Sequence, residues 1–367
     1  MTPLFSRPRL GANATFYARR FTALVTATLA LAGPLAQADS DAVIEHAFGD
    51  IRIGTPSQRV VTLYQGATDS AVALGIEPVG VVDSWLERPM YRYLRDALGG
   101  VEHVGLETQP NLEKVAWLDP DLIVATRFRH QRVRPLLEQI APTVVSDNVF
   151  DFKATLTRLA EATGRERRAR DLLEAWDLRI ADLRTKLASS LGSSLRDEWP
   201  QKAAVVRFKS DHVRIYNTGF AGSILTEIGF AQPDAVDDDG WGIKLTSEEN
   251  IPVMNADVIF VLLDPDDPAI VANYQHWSSH PLWQRLDAVE HGRVYQVNAV
   301  NWIMGGGILA ANAMLDDLYA HYDLDPLVPA AHEVLKVPAG GAVTSTPADT
   351  AGSCTRADSP RGRDVTC

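Results

Sequence analysis

The residues with the clearest potential for chemistry are two histidines and a run of glycines in the C-terminal half of the chain. His276 and His280 have the i, i+4 spacing of a metal-binding pair on a helix. Pro281 follows directly and no third ligand is nearby, so a pair at a helix end is the better interpretation. The Gly305-Gly306-Gly307 run precedes a predicted helix and could hold an anion, although we favour a tight turn. The chain has no GxSxG, GxxxxGK[ST], GxGxxG or HExxH motif, which argues against catalysis.

Short apolar segments that alternate with helical patterns indicate how the chain positions its functional residues. This alternation predicts parallel sheets covered by helices on both faces. In such sheets, ligands lie beyond the carboxyl ends of the strands. The predicted strands are 60–64, 79–82, 122–125 and 143–145 in the first half, and 203–208, 213–216, 258–263 and 294–297 in the second. A helix is predicted over 89–98.

Residues 166–187 form the longest uninterrupted helical pattern. Apolar side chains recur every three or four residues, which places one apolar stripe on a helix of roughly 33 Å. The stripe is Leu172, Leu173, Trp176, Ile180, Leu183 and Leu187, and the faces predicted to be solvated carry Arg167, Arg168, Arg170, Asp171, Arg179, Asp182, Arg184 and Lys186. Periodicity fits a strut between two α/β lobes and, equally, a crossover helix inside one large sheet.

Composition limits the classes of function. The 367 residues suffice for two domains of ordinary size, and 46% hydrophobic residues is normal for a globular protein. The net charge of −12 argues against a general nucleic-acid binder, because phosphate neutralisation needs an excess of Lys and Arg.

Residues 1–38 have the pattern of a signal peptide, with an arginine-containing start, an apolar run over 21–32 and a small-x-small site at Ala36-Gln37-Ala38. The run is too short to span a bilayer. We therefore expect a periplasmic protein that begins at Asp39. Arg19-Arg20 leaves twin-arginine export as an alternative to the general secretory route. No Cys lies near the cleavage site, so we expect no lipid anchor.

The remaining chain divides by composition and pattern. We predict an N-terminal segment over 39–58, an α/β lobe over 59–150, linking helices over 151–188 and a second α/β lobe over 200–325. Residues 333–367 are rich in small and polar residues and are predicted to be disordered. Both cysteines, Cys354 and Cys367, lie in this tail.

Five short runs occur in an order and at spacings typical of one family of binding proteins. They are residues 59–82, 104–125 (VGLETQPNLEKVAWLDPDLIVA), 222–229 (GSILTEIG), 281–286 (PLWQRL) and 292–297 (GRVYQV). Together they resemble periplasmic iron-siderophore-binding proteins of ABC importers, over residues 58–322. The ferric-dicitrate-binding branch is most similar, with hydroxamate binders nearby. The resemblance implies two α/β lobes joined by one long helix, with the ligand in the cleft between them.

The resemblance also implies which residues line the cleft. A ferric chelate needs cations for its anionic oxygens and aromatic walls for its organic part, whereas the protein need not ligate the iron. Arg127 and Arg129 are the candidate cations just after a predicted strand, and Phe128 between them is also a candidate ligand-binding residue. The candidate aromatic walls are Tyr64, Trp85, Trp241 and Trp302, while Trp117, Trp176 and Trp283 are expected in the core.

One residue departs from the family pattern. Many relatives carry an Arg that grips the chelate directly before the TQP run, where this chain has Glu107. A carboxylate repels an anionic chelate, so Arg127 or Arg129 is expected to compensate. The resemblance further implies one surface carboxylate on each lobe for docking to the permease, at Glu113 and Glu227.

These observations predict a binding protein that captures a ferric siderophore, of ferric-citrate-like or hydroxamate type, and delivers it to an inner-membrane ABC permease dimer. The alternatives are a cobalamin- or haem-binding protein of the same transporter class and a periplasmic enzyme on this fold. We expect a monomer with no cofactor, no protein ligand to metal and no nucleic-acid partner.

Overall fold

The computed structural model describes residues 42–191, 199–234 and 242–327. The predicted signal peptide, Trp241 and the predicted tail lie outside these ranges. The segment over 39–58 contains a hairpin of β1 (Ala42–His46) and β2 (Gly49–Ile53). The hairpin joins the first lobe through a hydrogen bond from the Ala47 N–H to the Val145 carbonyl oxygen, at 2.8 Å.

The first lobe contains a six-stranded sheet in the order β6-β5-β4-β3-β7-β8. All neighbouring strands are parallel except β5 and β6. Burial on both faces, with Val60 in one apolar cluster and Val61 in another, explains the continuous apolar runs of the sequence. The strands are β3 (Val60–Thr62), β4 (Gly80–Asp83), β5 (Glu102–Leu106), β6 (Gln109–Pro110), β7 (Leu122–Thr126) and β8 (Thr143–Ser146).

Four helices accompany this sheet among the described residues: α1 (Gln65–Ala73), α2 (Leu112–Trp117), α3 (Arg127–His130) and α4 (Arg134–Ile140). The helix predicted over 89–98 is reduced to one 3₁₀ turn, Arg92–Leu94. The prediction that Trp117 lies in the core is wrong, because its side chain on α2 is 75% exposed.

Two consecutive helices, α5 (Phe152–Thr163) and α6 (Glu166–Leu191), connect the lobes. Gly164 separates them in the left-handed conformation that ends α5. The apolar stripe of α6 is buried, apart from the partly buried Leu173, and shares one cluster with Val124 of the first sheet and Phe260 of the second. The two sheets are separate, so α6 is a strut between lobes and not a crossover helix within one sheet.

One polar residue of α6 is not where the pattern predicted. Arg179, expected on a solvated face, is only 1% exposed. Its guanidinium donates to the Asn312 side-chain oxygen at 2.8 Å and forms an ion pair with Asp316. Its charge is therefore buried with partners on the last helix of the chain, as an interior cation requires.

The second lobe has a five-stranded sheet in the order β11-β10-β9-β12-β13. β9, β12 and β13 are parallel, whereas β10 is antiparallel to both neighbours. A tight turn closed by the Lys209 N–H and the His212 carbonyl oxygen joins β9 to β10, so no crossover helix exists and the pair must be antiparallel. The strands are β9 (Ala203–Phe208), β10 (Val213–Tyr216), β11 (Gly242–Leu245), β12 (Val258–Leu262) and β13 (Val294–Gln296).

The described helices of this half are α7 (Gly219–Ile228), α8 (Pro268–Ser278), α9 (Asp287–Glu290) and α10 (Ile308–His321), with a 3₁₀ helix at Glu248–Met254. Helix α8 was not predicted from the sequence. His276 lies on α8 and pairs with Glu248 at 2.9 Å, and the described residues contain no cluster of three or more potential metal ligands. No helix in the described ranges is long and apolar enough to cross a membrane.

A buried carboxylate of the first lobe caps α10. Asp69 of α1 is fully buried and accepts hydrogen bonds from the N–H groups of Leu309 and Ala310, at 2.9 and 3.0 Å. The Tyr93 hydroxyl donates to the same carboxylate at 2.7 Å. Asp69 thus occupies the position that an anion would take at this helix N-terminus.

The glycine run before α10 allows this contact. A Cβ on Gly66 of α1 would lie 2.4 Å from the Gly306 carbonyl oxygen, and one on Gly307 would lie 2.2 Å from Asp69 Oδ1. Gly306 also has φ +70°. The run therefore lets α10 approach α1 more closely than side chains would permit.

Candidate ligand-binding cleft

A cavity of about 680 Å³ lies between the two lobes. In the first lobe, lining residues follow the carboxyl ends of β3, β4, β5, β7 and β8, which is the expected ligand position for a parallel sheet. The lining residues are Gln65, Gly66, Trp85, Leu86, Glu107, Phe128, Arg129, Asn148, Val149 and Phe150 from the first lobe, and Arg207, Lys209, Tyr216, Thr218, Gly219, Phe220, Ala221, Ile303, Met304 and Gly306 from the second half.

The first wall is built around Glu107 and Arg129. Glu107 Oε1 accepts from Arg129 Nε at 3.2 Å, and Oε2 accepts from the indole N–H of Trp85 at 3.2 Å. The guanidinium of Arg129 lies 5.4 Å from the Trp85 ring and 4.6 Å from the Phe128 ring. The structure therefore brings together three of the predicted site residues with the one residue that departs from the family pattern.

The environment of Glu107 acts on its charge in opposite directions. Burial raises the pKa of Glu107, while the Arg129 charge and the hydrogen bonds from Trp85 and Gln65 oppose that rise. The neighbouring His130 ring is also buried, which lowers its pKa to about 4. At neutral pH His130 is therefore uncharged, with one ring nitrogen bonded to the Glu107 carbonyl oxygen at 2.9 Å.

The second wall carries two cations that the sequence analysis missed. Arg207 lies near the end of β9, and Lys209 follows it on the same side of the chain. Burial and the Arg207 charge lower the pKa of Lys209. The sequence signal for this wall is a pair of basic residues at alternate positions, at the end of an otherwise apolar strand. Such a pattern marks a change from a buried sheet face to a cavity.

Aromatic side chains complete the cavity. Phe150 lies on the first-lobe side, and Tyr216 and Phe220 lie on the second. Flat apolar walls around a few charged groups are typical of sites for small organic ligands. The cavity can therefore hold an organic anion between rings and guanidinium groups.

Three predicted site residues do not line this cavity. The Tyr64 side chain is fully buried, and its hydroxyl bonds to Ser146 and Thr155, both at 2.9 Å. The prediction placed it at the strand end, but the β3 strand ends at Thr62, so Tyr64 points into the helical layer. Burial raises its pKa to about 12.

Trp302 is likewise a core residue. It lies on a π-helical turn, Val300–Met304, where its indole N–H donates to Asp317 at 2.8 Å and its ring packs 4.5 Å from that of Phe260. The same turn directs Ile303 and Met304 into the cavity. The prediction found the correct segment and the wrong face of it.

Arg127 is separated from Arg129 by about 200° around α3, because each helical residue advances about 100°. It forms an ion pair with Asp147, and its guanidinium lies 5.9 Å from the Phe48 ring of the N-terminal hairpin. Arg127 therefore belongs to the outer surface of the lobe, and Arg129 alone compensates Glu107.

The two predicted docking carboxylates differ in their surroundings. Glu113 is exposed on α2. Glu227 accepts from Lys153 at 2.5 Å and from the indole N–H of Trp176 at 3.0 Å. Glu227 therefore ties α7 to α5 and α6, and its carboxylate is already paired.

Comparison with known proteins agrees with this arrangement. The family model described as periplasmic binding protein matches residues 60–300. The chain belongs to the periplasmic binding protein family. It is 51% identical to an achromobactin-binding periplasmic protein of Dickeya dadantii, over 71% of this chain and 85% of that protein. It is 37% identical to a probable siderophore-binding lipoprotein of Bacillus subtilis, over 76% of this chain and 87% of the relative.

A solved structure of the same family shows the same architecture. Staphylococcus aureus SirA complexed with staphyloferrin B superposes with a TM-score of 0.73, at 41% identity, over 77% of this chain and 99% of SirA. The two-lobed α/β fold predicted from the sequence is thus confirmed. The family consists of substrate-binding proteins, so the cleft is the expected place for a ligand in this chain.

Proposed function

We propose that this protein binds an anionic ferric siderophore in the cleft and delivers it to an inner-membrane ABC permease. The observation that carries the proposal is the charge of the cavity. Among the described residues, three cations line it, Arg129, Arg207 and Lys209, and of these Arg129 is paired with a lining carboxylate. A chelate whose oxygens carry negative charge would be attracted to such walls.

The similar proteins narrow the choice of ligand. The names of the relatives in Dickeya and Bacillus, and the ligand in the SirA structure, favour a siderophore over cobalamin or haem. Achromobactin and staphyloferrin B are the first ligands to test. The siderophore itself would ligate the iron, so the protein needs no metal ligands, and it changes no bond in its cargo.

Native mass spectrometry of the mature chain tests the ligand class. The protein would be mixed with the ferric complexes of achromobactin, staphyloferrin B, citrate and a hydroxamate, together with cyanocobalamin and haemin. We expect a 1:1 complex with at least one ferric siderophore that survives desalting. Retention of only cyanocobalamin or haemin would contradict the proposal.

Export to the periplasm completes this proposal. The family is periplasmic, and the predicted signal peptide has no Cys near its cleavage site. The Bacillus relative is a lipoprotein, so we infer a difference between it and this chain. We expect the mature protein to be a monomer without a lipid anchor.

For docking to the permease, we propose Glu113 and Glu249 as the equivalent carboxylates of the two lobes. The 3₁₀ helix in the second lobe, Glu248–Met254, corresponds to α2. Each begins after a capping residue, Asn111 or Ser247, whose side chain accepts a backbone N–H. Glu113 and Glu249 both lie two residues after these caps and are exposed.

The residues that follow support this equivalence. Asp121 accepts the N–H groups of Gln58 and Arg59 ahead of β3, at 2.8 and 2.9 Å. Asp257 accepts the N–H of Lys202 ahead of β9, at 2.7 Å. Asp121 thus links the start of β7 to the start of β3, and Asp257 links the start of β12 to the start of β9. The lobes therefore repeat this unit, and a two-subunit permease would meet like contacts on each lobe.

Charge reversal tests the docking surface. The double variant Glu113→Arg, Glu249→Arg should bind ferric siderophore as the wild type does, while siderophore-dependent uptake in cells should fall at least tenfold, because two attractions become repulsions. The matched control, Glu77→Arg with Glu174→Arg, reverses two exposed carboxylates elsewhere and should leave uptake unchanged. Equal uptake by both double variants would remove Glu113 and Glu249 from the docking surface.

A further inference from the structure

We infer that Glu107 is a positioning residue, which holds Arg129 and Trp85 in the arrangement that receives the ligand. The inference rests on the proposed function of the cleft and extends it. A carboxylate in a cavity for an anionic ligand would otherwise oppose binding. The geometry instead gives Glu107 three donors to organise.

The contacts of Glu107 determine which atoms of Arg129 face the ligand. Glu107 is 3% exposed, and its Oε1 accepts from the Nε of Arg129 at 3.2 Å. This bond uses the inner nitrogen of the guanidinium. In the described part of the chain, neither terminal nitrogen of Arg129 has a hydrogen-bond partner. Glu107 thus fixes the side chain from behind and leaves the bidentate edge for a ligand carboxylate.

The other carboxylate oxygen fixes the aromatic part of the wall. Glu107 Oε2 accepts from the Trp85 indole N–H at 3.2 Å and from the Gln65 backbone N–H at 3.3 Å. With both oxygens engaged, the Arg129 guanidinium lies 5.4 Å from the Trp85 ring and 4.6 Å from the Phe128 ring. One carboxylate therefore orders a wall of two rings and a cation.

Glu107 is itself held at its backbone. Its carbonyl oxygen bonds to His130 Nε2 at 2.9 Å, and His130 Nδ1 accepts the Thr126 N–H at 3.1 Å. Because Nδ1 accepts, Nε2 carries the ring proton and donates to Glu107. The carboxylate is thus anchored to the ends of β5 and β7, the strands from which the wall is built.

The Glu107–Arg129 pair also has a consequence for ligand orientation. The two charges of the pair offset each other on the first wall, so the unpaired positive charge of the described lining residues lies on the opposite wall, at Arg207 and Lys209. A chelate would place most of its anionic oxygens toward the second lobe and its organic part against Trp85 and Phe128.

A double-mutant cycle with Fe(III)-achromobactin as the probe tests the inference. Glu107→Ala should weaken binding about tenfold, and Arg129→Ala by a similar factor. Adding Glu107→Ala to the Arg129→Ala protein should change the dissociation constant less than twofold, because the residue that Glu107 positions is gone. Tighter binding by Glu107→Ala in both backgrounds would show that Glu107 acts only as a repelling charge and would overturn the inference.

A second readout does not need the ligand. The indole N–H resonance of Trp85, assigned by its loss in Trp85→Phe, should move in Glu107→Ala while the backbone spectrum stays folded and largely unchanged. Glu107→Gln keeps an oxygen that can accept from Arg129, so its affinity should lie between those of the wild type and Glu107→Ala. An unmoved Trp85 resonance, or equal losses in Gln and Ala variants, would contradict positioning.

The two levels of the proposal fail differently. If the wild type binds no ferric siderophore, the proposed function is wrong and the ligand-related inference falls with it. If the wild type binds Fe(III)-achromobactin or Fe(III)-staphyloferrin B but Glu107→Ala binds the same probe equally well, only the role of Glu107 is wrong.

Discussion

At the scale of residues, the two walls of the cleft carry charge in different ways. Arg129 is paired with Glu107, whereas in the described part of the chain no cavity-lining carboxylate pairs with Arg207 or Lys209 of the second lobe. Cations that lack an internal partner are available to an anionic ligand. The second wall is therefore expected to contribute more electrostatic attraction, and the first wall more shape and stacking.

This difference predicts the outcome of alanine substitutions. Arg207→Ala and Lys209→Ala should each weaken binding of a ferric siderophore about tenfold to a hundredfold, because a charge-assisted hydrogen bond contributes about 1.5–3 kcal/mol. Arg127→Ala is the control, since Arg127 is paired with Asp147 outside the cavity. Isothermal titration calorimetry measures all three. A loss in the Arg127 variant that equals the loss in the other two would refute the assignment of the walls.

Three residues predicted for the site do line the cavity, and all three follow parallel strands of the first lobe. Trp85, Phe128 and Arg129 were predicted because they come after β4 and β7. Arg127 does not line the cavity because a short helix begins directly after the strand, and residues two positions apart on a helix point in nearly opposite directions. Arg207 and Lys209 were not predicted, because they lie at the end of β9, a mostly apolar strand that was interpreted only as part of a buried sheet.

At the scale of elements, Asp69 connects α1 to α10 across the long interval of sequence between them. Its carboxylate accepts two backbone N–H groups at the start of α10 and one tyrosine hydroxyl. Burial nevertheless raises its pKa to about 6, because desolvation outweighs these hydrogen bonds. The cap is therefore a place where protonation and folding are linked.

The sign of this linkage can be measured. In the folded state the pKa of Asp69 is above the unfolded value of 3.8, so the folded protein binds the extra proton between about pH 4 and pH 6. The stabilisation from this shift is complete below pH 4 and is lost as pH rises through 6. The free energy of unfolding of the wild type, measured relative to Asp69→Asn, should therefore fall by roughly 3 kcal/mol from pH 4 to pH 7. Urea unfolding at a series of pH values measures it, and a difference that rises with pH would contradict the assignment.

The elements were predicted best where periodicity was strong. The helical pattern over 166–187 is confirmed as part of α6, and β9 and β10 have the predicted bounds. The prediction of a helix over 89–98 was wrong, because only Arg92–Leu94 forms a 3₁₀ turn. The prediction that Arg179 is solvated was wrong, because the polarity of a residue does not show that Asn312 and Asp316, over 130 residues later, supply its partners.

At the scale of the whole molecule, the lobes are joined by more than one device. The α6 strut connects them covalently, and Asp69 with the close contact between Gly66 and Gly306 fastens α10 to the first lobe. A continuous helix has no loop that could absorb large dihedral changes, unlike a hinge of crossing strands. We expect the lobes to move little on ligand binding.

Small-angle X-ray scattering tests this rigidity. The radius of gyration of the mature protein should change by less than about 0.5 Å when a saturating ferric siderophore is added, because hinge closure requires flexible residues that α6 lacks. The protein alone and the protein mixed with the iron-free siderophore serve as controls. A decrease of about 2 Å or more would show that the strut bends.

The two-lobed architecture was predictable because strand and helix patterns repeat on either side of one long helix. The contact between α1 and α10 was not, because glycines signal close approach without naming the partner. The hairpin of β1 and β2 was also missed, since its strands are short and half exposed. Long-range contacts of this kind arise from tertiary packing and leave weak traces in sequence.

The most direct test of the central claim is a crystal structure of the protein with Fe(III)-achromobactin, with an anomalous difference map collected at the iron edge. We expect one iron peak in the cleft between the lobes. Chelate oxygens should lie within hydrogen-bonding distance of Arg207 and Lys209, and the organic part should lie against Trp85 and Phe128. An iron peak outside the cleft, or anionic oxygens directed away from both second-lobe cations, would contradict it.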